Sequence, residues 1–137
     1  MIQIAPLENA MWAEPLLRQL RSDLDDLAFT TRLARAAAQG YRVLRARDAS
    51  GALVGALGYR IRDDLCWGRT LYVDDLIVVP TRRGAGIGQG LMSFAREIAR
   101  KSVDHIRLCS GVSRADAHRF YEANGLVRSS FQFVATP

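Results

Sequence analysis

Apolar and polar positions alternate between two rhythms along this chain. A period of two, or a short continuous apolar run, predicts strands over "MIQIAPL", "YRVLRARD", "ALVGALGYRI", "RTLYVDDLIVV", "HIRLCS" and, closing the sheet, "LVRSSFQFV". The turn signal "ASG" joins the second and third of these as a hairpin, Pro80 stops the fourth, and "RDDLCWG" reads as a polar loop. Spacings of three and four predict helices over "ENAMWAEPLLRQLRSDL", "LAFTTRLARAAAQG", "IGQGLMSFAREIARK" and "RADAHRFYEAN". Asn9 is placed to cap the first, where Pro15 is an awkward interior residue; Gly40 and Gly125 end the second and fourth. The order βααβββαβαβ, hairpins first and then a strand–helix–strand unit, predicts an α/β fold on a mixed sheet.

Composition narrows this picture. At 137 residues the chain suits one domain spanning 1–137, and 49% hydrophobic with 24% charged residues describes an ordinary globule. No apolar run approaches the ~20 residues that cross a bilayer, and "IQIAPL" after Met1 is not a secretory leader, so a cytoplasmic protein is expected. Cys66 and Cys109 match no ligand spacing, and His105 and His118 lie too far apart for a helical pair; no metal is expected. The net charge of +5 rests on arginines scattered along the chain, with Lys101 the only lysine. A nucleic-acid stripe would cluster them. A site for one small polyanion needs only a few.

The string "RRGAGIGQGLM" points to such a site. Gly84, Gly86, Gly88 and Gly90 stand at every second position between a strand and a helix. The first N–H groups of a helix lack intrahelical acceptors and carry about half a positive charge, and glycine lets that backbone approach a phosphate. A plain strand-to-helix turn needs one or two glycines. A Walker loop would need a Gly-Lys-Ser/Thr ending; a dinucleotide fingerprint would need glycine at Gln89 or Leu91.

The pattern that does fit is R-x-x-G-x-G, as Arg83, Gly86 and Gly88, inside "DDLIVVPTRRGAGIGQGLM". With "HRFYEANGL" further on, it resembles the GCN5-related N-acetyltransferase (GNAT) family over nearly the whole chain. Ala117, Phe120, Tyr121 and Gly125 sit at positions of that family's second signature, with Leu126 for the usual aromatic residue. The resemblance implies one N-acetyltransferase domain whose mostly antiparallel sheet is splayed at its centre and flanked by helices. Acetyl-CoA would lie in the cleft.

By the same resemblance, the N–H groups of Arg83, Gly84, Ala85, Gly86, Ile87 and Gly88, with the Gln89 side chain, bind the coenzyme pyrophosphate. Ile77 and Val78 would pair their backbone with the pantetheine arm, and Arg82 or Arg83 would meet phosphate. Many members carry Asn where Arg114 stands; its guanidinium either reaches the coenzyme or is surface.

Acetyl transfer needs an unprotonated amine, a stabilised oxyanion and a proton for the leaving thiolate. The resemblance assigns the oxyanion donor to the Leu76 N–H, freed by a bulge, a contribution of typically about 3 kcal/mol. It assigns the acid to Tyr121, for which a core aromatic beside Phe120 is the alternative reading. Asp74 matches the acidic base of some members, with Asp75 or solvent as the alternatives; Asp75, expected on the opposite face of a regular strand, would stabilise the bulge or a neighbouring loop. Asp63 and Asp64, near Tyr59 and Trp67, read as a solvated turn, with the acceptor side as the alternative.

The expected activity is acetyl transfer to a primary amine by direct attack on the thioester. A non-catalytic acyl-CoA-binding sensor is the competing reading, which needs neither Tyr121 nor the acidic pair. Polyamine, antibiotic, amino acid and protein amino group all stay open as acceptors. A homodimer is compatible with the family, but no segment specifies one.

Overall fold

The computed structural model describes residues 1–137. Five strands form one sheet in the order of the sequence: β1 (Gln3–Leu7), β2 (Arg42–Arg47), β3 (Leu53–Asp64), β4 (Gly68–Val78) and β5 (His105–Leu108). β1 through β4 pair antiparallel. β5 follows β4 through a helix, the connection that makes neighbouring strands parallel, so the sheet is mixed. By packing, the chain divides into two compact units, Met1–Arg107 and Leu108–Pro137. No helix is long and apolar enough to cross a membrane.

The first predicted helix is broken into a 3-10 turn (Ala10–Ala13), the single α turn α1 (Glu14–Leu17) and a second 3-10 turn (Arg18–Leu20). Pro15 explains the break. It has no N–H to give and is tolerated only in a helix's first turn, which is where α1 holds it. Asn9 does cap the entry, its side chain accepting from the Met11 N–H at 3.0 Å. Helix α2 (Asp26–Ala38) starts on an Asp25 cap that accepts from the Ala28 N–H at 2.7 Å.

Helices cover both faces of the sheet. Ala13, Leu16, Leu17, Phe29 and Leu33 join Tyr41, Val43, Ala56 and Ile77 in one buried cluster. On the opposite face lies α3 (Ile87–Ser102), with Ile87, Leu91, Met92, Ala95 and Ala99 buried. A Cβ on Gly55 would come within 3.0 Å of Ile87, so that glycine sets how closely α3 approaches β3.

Two expectations fail. The polar loop is shorter than predicted, because β3 runs through Asp63 and Asp64, leaving only 65–67 for the turn. Both aspartates are ion-paired, Asp63 with Arg69 at 3.0 Å and Asp64 with Arg107 at 3.0 Å, and charge pairing across a strand end extends a ladder. The closing strand "LVRSSFQFV" is absent. Its alternation supplies an apolar face, but a strand exists only where a neighbour accepts its backbone, and Val127, Phe131, Phe133 and Val134 stay exposed. The second unit's regular element is α4 (Ala115–Ala123), with Tyr121 and Asn124 on its half-buried side.

Candidate active site

The register of β4 holds the first clue. Gly58 of β3 faces Asp75 and Tyr59 faces Val73, so Asp74 is an extra residue, a β-bulge. Beyond it, the Val79 N–H donates to the Val54 carbonyl at 2.9 Å, which fixes the alternation backwards. Ile77 turns its main-chain groups toward β3, whereas Leu76 and Val78 turn theirs away. Ile77 therefore cannot pair its backbone with a ligand arm as expected; its side chain is core, and Leu76 and Val78 hold the free groups.

The other side of this segment is open. β5 begins just after Asp104, whose N–H meets the Arg69 carbonyl at 2.8 Å, and is four residues long. At that length it accompanies β4 no further than about Val73. The Val78 carbonyl accepts instead from the Arg83 Nε at 3.2 Å.

Past Pro80 the chain reaches the glycine loop. Gly84 and Gly86 take φ of +81° and +83°, the left-handed region that side chains resist, and nothing lies within 4 Å of where their Cβ atoms would stand. Gly86 is the N-cap of α3, with no side-chain cap and no acid in the first turn. The first intrahelical bond runs from the Gly90 N–H to the Gly86 carbonyl at 3.0 Å, leaving the N–H groups of Ile87, Gly88 and Gln89 without helical acceptors. Gly90 has a different reason, since a Cβ there would come within 2.8 Å of Ile4. Arg83's own N–H turns back to the Pro80 carbonyl at 3.4 Å, so the cradle effectively starts at Gly84 and continues through Ala85. Arg82 is engaged elsewhere. Its guanidinium meets Asp48, in the turn between β2 and β3, at 3.0 Å.

On the face that carries α1 and α2 lies a pocket of about 160 Å³, lined by Leu17, Leu24, Phe29 and Tyr41 among apolar groups, and by both Asp74 and Asp75. The expectation of opposite faces is thus overturned; the bulge resets the alternation and turns both carboxylates one way. The Asp74 carboxylate sits in the fork of Arg60, at 2.8 and 3.1 Å. Asp75 accepts from the Tyr41 hydroxyl at 2.8 Å and from Arg21 at 2.7 Å. Burial pushes the Asp75 carboxyl above its ordinary range, helped by the nearby Asp74 charge and opposed by Tyr41 and Arg21. Burial, then the Asp75 charge, drives the Tyr41 phenol far up, so it stays a hydrogen-bond donor.

Gly58 makes this contact possible. A Cβ there would lie 1.8 Å from the Tyr41 hydroxyl oxygen, so the tyrosine reaches Asp75 only across a bare backbone. Sequence reasoning missed Tyr41, Arg60 and Arg21. A glycine inside an apolar strand, as in "ALVGALGYRI", is a signal for a bulge or close approach and marks the place.

In the second unit, Tyr121 and Arg114 lie seven residues apart, two turns along one side of α4. Partial burial raises the Tyr121 phenol and the Arg114 charge lowers it. Asp63, Asp64 and Trp67 belong to a separate cluster. Arg107 lies 4.9 Å over the Trp67 ring, and Trp67 meets His105 edge-on.

The model of the acetyltransferase (GNAT) family matches residues 4–126. The uncharacterized N-acetyltransferase YhdJ of Bacillus subtilis is 32% identical over 126 residues, 89% of each chain. The aminoalkylphosphonate N-acetyltransferase of Salmonella typhimurium is 30% identical over 84% of this chain and 76% of its own. Among solved structures, AAC(6')-Iy in complex with the bisubstrate analog CoA-S-monomethyl-acetylneamine superposes with a TM-score of 0.85 at 16% identity, covering 100% of this chain and 98% of that one; this likeness is one of fold.

Proposed function

Because the chain belongs to the acetyltransferase (GNAT) family and is an N-acetyltransferase, we propose that it transfers the acetyl group of acetyl-CoA to a small primary amine by direct attack on the thioester. The observation that carries this reading is the bulge at Asp74. It turns main-chain groups toward the open edge of β4 and two carboxylates into the pocket, so a donor surface and an acceptor surface meet on one strand segment. A sensor that only bound the coenzyme would need the first and not the second.

The residues on the donor side fit an acyl-CoA. The bare, uncapped start of α3 suits a pyrophosphate, held by N–H groups from Gly84 to Gly88 with the Gln89 side chain. Leu76 and Val78 offer main-chain groups to an extended arm, with Arg83 moving from the Val78 carbonyl to meet phosphate. The Leu76 N–H is the proposed oxyanion donor.

On the acceptor side, an alkylammonium of pKa near ~10 must lose a proton before it attacks. Asp74, fixed by Arg60, draws the ammonium in and takes or relays its proton through water, while Asp75 keeps the bulge anchored through Tyr41. Tyr121 is the proposed acid for the departing thiolate; burial raises its phenol and the Arg114 charge offsets part of that rise. The Salmonella relative's name places a small amine among the acceptors of a related chain.

Release of free thiol from acetyl-CoA over a panel of amines tests the reading, and a protein that binds acetyl-CoA but releases none is a sensor. Tyr121→Phe keeps the ring and should lower turnover by roughly 10²-fold with the KM for acetyl-CoA nearly constant. A change within about twofold would assign the acid to water or another group.

A further inference from the structure

We infer that the acceptor carries an anionic group besides its amine, and that Arg32 reads it. This rests on the acetyl-transfer reading and adds a substrate class to it.

The lining of the pocket contains three arginines, Arg21, Arg32 and Arg60, and two aspartates, so it carries a net charge of 3 − 2 = +1. Four of these five groups are paired with one another. Arg60 is forked onto Asp74 and Arg21 is bound to Asp75. Arg32 makes no ion pair and no hydrogen bond, although the pocket holds two carboxylates.

Its position is as telling as its freedom. On α2 the residues turned to the pocket are Phe29, Arg32, Leu33 and Ala36, the spacing of one helix face. Three are apolar, and Phe29 and Leu33 are buried. Arg32 alone is charged and exposed, standing at the rim above an apolar wall. A guanidinium there is placed to meet a carboxylate or phosphonate by paired charge-assisted bonds.

The charge balance separates acceptor classes. A diamine dication would add two positive charges to a lining already at +1. An ammonium joined to a dianionic phosphonate carries −1 and cancels it; an amino carboxylate carries zero.

The test measures thiol release from acetyl-CoA by the full chain with 2-aminoethylphosphonate, β-alanine, ethylamine and putrescine. We expect kcat/KM to fall in that order, with the phosphonate at least about tenfold above ethylamine. In Arg32→Ala that preference should shrink about tenfold, and in Arg32→Lys it should be partly kept, while the KM for acetyl-CoA is the same in all three proteins. Ethylamine or putrescine matching the phosphonate, or Arg32→Ala lowering all four acceptors alike, would overturn the inference and leave acetyl transfer standing. Release with none of the four would overturn acetyl transfer to small amines, and the inference with it.

Discussion

In the loop after β4 the chain makes a surface by leaving side chains out, at Gly84 and Gly86; at Asp74 and Asp75 of β4 it makes one by crowding them in. The loop is built from local backbone conformation and one helix terminus, all within a few consecutive residues. The pocket gathers Arg21, Tyr41, Arg60, Asp74 and Asp75 from four stretches of chain. A local site tolerates change around it and is sensitive at its own glycines. A gathered site is sensitive wherever its contacts are held, including at positions that touch no ligand.

Gly58→Ala should mark this difference most strongly. The added Cβ would overlap the Tyr41 hydroxyl, so Tyr41 must leave Asp75 or the strands must part. Stability should fall by roughly 3 kcal/mol, the upper end of overpacking effects, as read by urea denaturation. Binding of acetyl-CoA to the folded fraction should be little altered, and an equal loss in both would mean that the loop and the pocket are not separable.

Asp74→Asn keeps the size of the side chain and loses its charge. Activity should drop by roughly 10²-fold at neutral pH and recover in part at alkaline pH, where the amine deprotonates unaided. The check is kcat/KM across pH with one good amine. A flat deficit at every pH would move the proton acceptor to another group.

Gly86→Ala probes the loop in isolation. At φ +83° a side chain is strained by about 1–2 kcal/mol even with open space around it. The KM for acetyl-CoA should rise about tenfold with kcat for bound substrate nearly kept. A larger loss in kcat than in KM would show that the loop also positions the reacting thioester.

The smallest effect concerns Asp75 and appears in the pH dependence of stability. Its folded carboxyl titrates above the unfolded one, so between about pH 4 and that raised value the folded state holds the extra proton. Stability from this group is full below that window and declines as pH rises through it. Asp75→Asn should flatten that decline in melting curves taken from about pH 4 to 7. An unchanged slope would assign the decline to other groups.

What the sequence made legible follows the same division. The loop could be read because glycine at every second position leaves a mark in consecutive residues, and α2, α3 and β1 to β5 could be read from their periods. The bulge could not. One extra residue in "VDDL" is invisible until the register to β3 is known, and with it went the facing of Asp74 and Asp75 and the role of the Ile77 backbone. The partners Tyr41, Arg60 and Arg32 carry no local signature at all, since an arginine on a helix or strand looks alike whether it is solvated or aimed into a pocket. "SSFQFV" misled for a related reason: alternation describes a face and says nothing about the neighbour that must meet it.

The Asp48–Arg82 contact reaches from the turn between β2 and β3 to the arm of the glycine loop. Asp48 is itself secured by the Ser50 hydroxyl and the N–H groups of Ser50 and Ala52. These bonds, Ser50's hydroxyl foremost, hold its carboxyl down to about 2, so the tie persists through all but strong acid. In kinetic language, a loop arm already anchored is ready at the moment of encounter, and little of the association barrier is spent on ordering it. On the proposed reading of the loop as the coenzyme's phosphate cradle, untying it at a distance, by altering a hairpin turn outside that cradle, would slow capture of the coenzyme without removing a proposed contact to it.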